Sequence, residues 1–258
     1  MIKKENARFF LKKMLKKIIF SVVEYIPNIF LPRIMKMIFF ILRKKKRIGH
    51  GTYIDSSVHL IRYNDIVIGD NSSISEGSWL NANNRNKKGY AINIGNNCHL
   101  GRRCFISSGN SVIIKDYVIF AADCKLLGSS HVISDPFEPY ITTGTTNNCT
   151  IEIGVNCFFG AAVVINGYVK IGHGCVVGAN TFINNEDIPP FSIVVGNPAR
   201  IIKRYSMVSH KWIITDSYTL LDEKDLPGEE AYLQGLTKKY PKIDIPYHAI
   251  GKDFGDLP

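Results

Sequence analysis

The stretch Ile151–Ile202 decides the fold. It reads IEIGVN-CFFGAA-VVINGY-VKIGHG-CVVGAN-TFINNE and then DIPPFSIVVGNPARII. A bulky apolar residue recurs at every sixth position: Ile153, Phe159, Ile165, Ile171, Val177 and Ile183. The next residue is Gly or Asn each time: Gly154, Gly160, Asn166, Gly172, Gly178 and Asn184. Four residues after the anchor the side chain is usually small or β-branched, as at Cys157, Val163, Cys175 and Thr181. A helical period of 3.6 would scatter these anchors around an axis, and a strand period of 2 does not call for a turn residue at every sixth position. A period of six is that of a β-helix built from hexapeptides.

Each hexapeptide supplies one short strand and one corner, with the anchor pointing inward. Gly or Asn beside the anchor is expected to serve the corner by tolerating a positive φ. Three hexapeptides close a triangular coil, and no coil buries its own interior, so burial comes from stacking. The same beat extends toward the N-terminus through Ile48, Ile54, Ile68, Ile74, Leu80, Ile94, Leu100, Ile106, Ile114, Phe120 and Leu126. Two segments break it, 82–91 and 127–150. Insertions of this kind leave a coil on one face and often build a binding site.

With the exit sequence Val195-Gly196-Asn197-Pro198-Ala199-Arg200, the repeat resembles the left-handed β-helix acyltransferases, a hexapeptide-repeat family that includes galactoside, maltose and serine acetyltransferases. The resemblance covers residues 48–204. It implies an all-β core, a left-handed parallel β-helix, flanked by an N-terminal α-helical leader (1–47) and a mixed C-terminal extension (205–258). The hand comes from the resemblance alone, because crossover connections in open sheets are right-handed. The resemblance also implies acetyl-CoA as co-substrate, no metal, direct transfer without an acyl-enzyme, and a homotrimer with CoA lying between neighbouring prisms.

Site residues follow by position. His131, in the segment LGSSHVISDP, resembles the family's general base. A neutral imidazole titrating near the working pH can take the proton of an acceptor hydroxyl as the oxygen attacks a thioester. Backbone N–H groups of an adjacent coil would then serve the oxyanion. Ala161 and Ala179 occupy the places where relatives leave room for pantetheine, and Arg200 and Lys203 those of phosphate-binding cations. Ser108 and Asn110 are the nearest matches to an acceptor-contacting Asn. Two departures put the acceptor in doubt: Ser134 stands where galactoside acetyltransferase has a second histidine, and Asn185 roughly where a relative has a CoA-contacting lysine. His50, His59, His99 and His173 read as exposed corner or strand residues, and His210 and His248 as tail residues.

The net charge of +10 is uneven. Residues 1–47 carry fourteen Lys or Arg and two Glu, so the remaining chain is slightly acidic. A basic stripe across the body is missing, which argues against a nucleic-acid partner. The leader mixes its cations with Phe9, Phe10, Leu11, Ile18, Phe39 and Phe40, and Pro27 and Pro32 divide it into two expected helices. Its apolar runs are shorter than the ~20 residues of a spanning helix. Basic residues beside aromatics fit a helix lying on an anionic membrane surface; packing over the open end of the β-helix or against a neighbouring subunit is the alternative. A peripheral position on the inner face of the cell membrane follows from the first reading.

Cys98, Cys104, Cys124, Cys157 and Cys175 all fall four residues after an anchor and read as reduced core residues in a cytoplasmic protein. Cys149 fits no such place. The favoured function is an O-acetyltransferase acting on a sugar hydroxyl of a cell-surface polysaccharide or its lipid-linked precursor. An N-acyltransferase for an amino sugar nucleotide and a non-catalytic scaffold are the alternatives. A zinc carbonic anhydrase on this fold needs two histidines five residues apart, a spacing the sequence lacks.

Overall fold

A computed structural model describes residues 47–83, 89–241 and 243. The leader and its expected helices lie outside the described residues, apart from Arg47. The rest forms a three-sided prism of parallel strands (left-handed, as the resemblance implied).

The first face stacks Ile66–Ile68, Ile92–Ile94, Ser111–Ile114, Thr150–Ile153, Val169–Ile171 and Asp187–Ile188. The second stacks Tyr53–Ile54, Ser73–Ile74, His99–Leu100, Ile119–Phe120, Phe158–Phe159, Val176–Val177 and Ser192–Val195. The third stacks His59–Ile61, Trp79–Asn81, Phe105–Ser107, Lys125–Leu127, Val164–Asn166 and Phe182–Asn184. The anchors align coil on coil: Phe120 over Phe159 over Val177, and Leu126 over Ile165 over Ile183. All six anchors of the deciding stretch are buried, and the rings of Phe120 and Phe159 stack 4.3 Å apart. Full burial of each such side chain contributes roughly 1.5–3 kcal/mol. The first coil has a third strand, around Leu60, which lies six residues after Ile54 and so on the same beat, though it was not among the anchors read from the sequence.

The glycines beside the anchors do a different job from the one expected. The left-handed residues sit two places later, at Asn97, Tyr117, Asn156, Ala162 and Asn180, with φ between 55° and 63°. Gly160 is required by close approach instead: a Cβ there would lie 2.5 Å from the backbone nitrogen of Ala179 on the next coil.

The five core cysteines are buried and unpaired, as expected. They are more than small hydrophobes. Cys98, Cys124 and Cys157 point their thiols at carbonyl oxygens of the following coil, on Lys115, Gly160 and Gly172, at 3.1 to 3.2 Å. Ser72 and Ser78 donate to Gly95 and Gly101 in the same way. The recurring small residue is thus a weak hydrogen-bond staple between coils. Burial pushes the Cys98 thiol up to about 12, so it stays protonated.

Two histidines are corrected. His99 and His173 are buried, not exposed. His99 Nδ1 is 2.7 Å from Ser73 Oγ one coil earlier. His173 is covered by the C-terminal extension, which the repeat could not foretell. Its Nε2 is 2.9 Å from the Pro227 carbonyl, and its ring lies edge-on to Phe191 and tilted against Tyr232.

That extension begins as a hairpin. The chain leaves the last coil through Arg200–Ser206, antiparallel to Ser192–Val195, and returns through Lys211–Ile214. The expected helix Glu229–Lys239 then lies along the corner between the first and second faces. This corner carries a polar ladder. His50 N–H donates to Asp70, Asp70 N–H to Asn96, and Asn96 N–H to Asp116, at 2.6 to 2.8 Å. Two coils on, the rung position is His173, which has no carboxylate to offer Val155. Glu229 replaces it: its carboxylate accepts the Val155 N–H at 3.0 Å and pairs with Lys115.

Candidate active site

The other two corners hold the expected site residues. Both long insertions leave from the corner between the third and first faces. The second of them forms an arm. Ser130–His131 pairs antiparallel with Thr145–Thr146, and Val132 N–H donates to Gly144. Two threonine hydroxyls tie the strands further, Thr146 to the Ser130 carbonyl and Thr143 to that of Val132. His131 is exposed on this arm. Beyond it the tip presents Ile133, Phe137 and Ile141, 69, 94 and 88% exposed.

The root of the arm is held more firmly than its tip. Gly109 has φ +55°, and a Cβ there would meet the Gly128 carbonyl oxygen at 1.8 Å, so only glycine lets the coil touch the start of the arm. Ser107 Oγ lies 2.7 Å from Ser129 Oγ. Asn83, from the other insertion, reaches both. Its Nδ2 donates to Ser129 Oγ at 2.7 Å and to Asn147 Oδ1 at 3.0 Å. Its Oδ1 accepts from Ser108 Oγ and from Gly109 N–H, each at 3.0 Å.

Of the acceptor candidates, Ser108 is fully buried and its hydroxyl is engaged with Asn83. Asn110 is half-buried and donates through Nδ2 to Thr150 Oγ1 at 2.9 Å. Both lie next to the arm's root. Cys149 is half-buried there, and its carbonyl accepts from Asn110 N–H at 2.8 Å.

The corner between the second and third faces changes character along its length. In the early coils it is crossed by ion pairs, Arg102 to Glu76 at 2.6 Å and Arg103 to Asp123 at 2.8 Å. In the late coils it is reduced to Gly160-Ala161-Ala162 and Gly178-Ala179-Asn180. Ala161 and Ala179 are exposed neighbours on successive coils, and Asn180 N–H donates to the Ala161 carbonyl. The exposed Arg200 lies where this bare column ends, paired with Val195. Lys203, also exposed, is opposite Ile193, farther along the second face. Asn185 is committed to a turn, accepting from Tyr168 N–H at 2.9 Å.

The structure therefore groups His131 with Ser108 and Asn110, and Ala161 with Ala179 and Arg200. It does not bring the two groups together within one chain: the third face separates them. Asn83, Ser107, Ser129 and Asn147 escaped the sequence reading because Asn83 meets partners up to 64 residues away. Polar residues at the ends of both insertions were the available signal. Among the described residues, no group of three His, Cys, Asp or Glu could hold a metal ion, and no helix is long and apolar enough to cross a membrane.

A family model described as the hexapeptide repeat of succinyl-transferase matches residues 148–185. Over those residues the chain is similar to hexapeptide-repeat proteins in sequence, and its stacked parallel strands have the fold of the left-handed β-helix. Galactoside O-acetyltransferase of Escherichia coli (strain K12) is 29% identical over 136 residues, covering 51% of this chain and 63% of that protein. A Staphylococcus aureus (strain COL) protein bearing an acetyltransferase name is 29% identical over 116 residues, covering 45% of this chain and 56% of that one. Among solved structures, a point mutant of the Bacillus cereus N-acyltransferase AntD, bound to dTDP and coenzyme A, superposes with a TM-score of 0.52 at 20% identity, covering 66% of this chain and 90% of AntD. The hexapeptide-repeat chain thus spans 56 to 63% of the length of these two curated relatives.

Proposed function

We propose that this hexapeptide-repeat protein is an acetyl-CoA-dependent O-acetyltransferase acting on a sugar hydroxyl, of a cell-surface polysaccharide or its lipid-linked precursor. The observation that carries the proposal is the pairing of an exposed histidine on a braced arm with a corner stripped of side chains. The bare column at Ala161 and Ala179 leaves room for the pantetheine of acetyl-CoA, and Arg200 at its end offers a cation to the phosphates, with Lys203 farther out. His131 takes the hydroxyl proton as the acceptor oxygen bonds to the thioester carbon. The tetrahedral intermediate then collapses, the C–S bond breaks, and the imidazolium returns its proton to the CoA sulfur. The similarity to galactoside O-acetyltransferase supports an O-linked sugar acceptor.

Because the two groups lie on different corners, the working site is formed between chains, the arm of one prism meeting the column of the next in a homotrimer. The basic, aromatic leader places the assembly on the inner surface of an anionic membrane, near a lipid-linked acceptor.

Thermal stability against rising acetyl-CoA tests the donor site first: at a hundredfold excess over the dissociation constant the shift corresponds to about 2.7 kcal/mol. No shift at millimolar acetyl-CoA sinks the proposal. Refolding two impaired variants together, His131→Ala and Ala179→Trp, and assaying at acetyl-CoA too dilute for the second to turn over alone, tests the shared site. In an equal mixture about a quarter of the sites combine an intact arm with an intact column if they come from different chains. Activity that stays at zero shows that each site lies within one chain. CoA release with neutral sugars and with amino sugar nucleotides separates O- from N-acylation.

A further inference from the structure

We propose that Asn83 is a positioning residue for His131, acting as a clamp on the root of the arm. This rests on the assignment of His131 as the general base. A side-chain amide can make four hydrogen bonds, two donated and two accepted, and Asn83 makes all four. Those it donates go to Ser129 and Asn147, the residues that begin and end the paired arm. Those it accepts come from Ser108 and Gly109, on the coil from which the arm departs. Its own N–H also donates to Ser108 Oγ at 3.2 Å. One planar group therefore fixes both feet of the arm to the prism, and the first foot is two residues from the imidazole.

The arm has little else to define its direction. Above its feet it is a two-residue ladder whose four members are all exposed. A short hairpin of this kind is marginal by itself. Its orientation must come from its base, where Gly109 sets how closely the arm approaches and Asn83 sets the angle. Ser107 completes the base through Ser129. A general base must sit within hydrogen-bond reach of the proton it removes, and an error of about 1 Å in such a group can cost on the order of a hundredfold in rate. A loosened foot is thus expressed as lost turnover, whereas the CoA column lies on another corner and is untouched.

Two variants of the full chain test this. Asn83→Ala removes all four side-chain bonds. Asn83→Asp keeps the shape and removes both donors, so that its folding is the safer of the two. Hydrogen exchange is followed in peptides covering 128–147 and, as reference, 150–177. Isothermal titration measures CoA affinity, and acetyl transfer to a panel of sugars gives kcat and KM. The expected result is exchange in the arm at least about tenfold faster with the reference coils unchanged, kcat lowered about ten- to a hundredfold, and KM for acetyl-CoA and CoA affinity within about twofold of the original. Unchanged exchange in the arm overturns the clamp. A faster arm with undiminished kcat overturns its catalytic purpose, and so does a raised acceptor KM at constant kcat, which marks direct substrate contact. Wild-type protein that neither binds CoA nor transfers acetyl groups overturns the proposed function, a failure recognised without either variant.

Discussion

Two corners of the same prism border the third face, and they depart from the plain repeat in opposite directions. At one, chain is added: the arm projects there, held by Gly109, Ser107 and Asn83, and the 82–91 insertion departs from the same corner. At the other, side chain is taken away: ion pairs between Arg102 and Glu76 and between Arg103 and Asp123 give way to Ala161 and Ala179. Adding chain places a reactive group outside the prism. Removing side chains exposes backbone along it. On the function proposed above, the difference teaches that a repetitive scaffold acquires a site by local exceptions to its repeat, one for reaction and one for binding.

The comparison breaks if the two corners do not separate rate from affinity. His131→Ala is expected to lower kcat by about 10²- to 10⁴-fold with CoA affinity unchanged in calorimetry. Loss of CoA binding in this variant would mean that the arm is part of the donor site. Gly109→Ala adds a left-handed Cβ and a clash with the Gly128 carbonyl, together worth about 3 kcal/mol of stability in urea denaturation. A neutral result would show that the arm's root is looser than its geometry. Ala179→Trp is expected to weaken CoA binding at least about tenfold, or about 1.4 kcal/mol, while the thermal midpoint of the unliganded protein holds, since the position is exposed. Arg102→Ala, in the ion-paired half of the same corner, should leave CoA affinity alone. Equal effects at the two positions would erase the distinction between the halves.

The smallest effect belongs to the third corner and sharpens the contrast by being purely structural. Burial alone would raise the Glu229 carboxyl, but Lys115 and the Val155 N–H outweigh it and hold it below its ordinary range. A depressed carboxylate pKa contributes stability that is present above the unfolded value, near 4.3, and is lost as the pH falls through the folded one. Acidification from neutral toward pH 3 should therefore release the helix Glu229–Lys239 before the coils melt, seen as faster exchange in that helix. Glu229→Gln should weaken its docking at neutral pH and flatten this dependence.

The prism was legible in the sequence because its core is set by a strictly local rule. An anchor at every sixth residue needs no knowledge of distant partners, and Ile153 through Ile183 are buried as that rule requires. The meaning of the neighbouring glycine was less legible. Gly160 answers to a contact with Ala179 on the next coil, and a period shows that a residue recurs, not what it avoids. His131 was located by resemblance and by its place in an interruption of the beat. The residues that hold its arm were not found, since Asn83 bonds to Ser129 and Asn147 only after two insertions of unrelated sequence meet at one corner. His99 and His173 failed for the same kind of reason: the first is capped from the coil before it, the second by a tail with no repeat to read.

The docked tail has a consequence for how such a molecule can grow. A stack of like coils has no natural length, and duplication of one more unit leaves every nearest-neighbour contact satisfied. Here the helix Glu229–Lys239 is in register with particular rungs. Glu229 meets Val155, Tyr232 meets Asn156 and Thr237 meets Tyr117, while Pro227 just before it caps His173. An extra coil inserted after Asn156 would carry His173 away from these partners by the thickness of a strand layer, about 4.8 Å, and the tail would have to choose which end to keep. The extension therefore works as a gauge, fixing the number of coils in a scaffold whose own chemistry sets no limit.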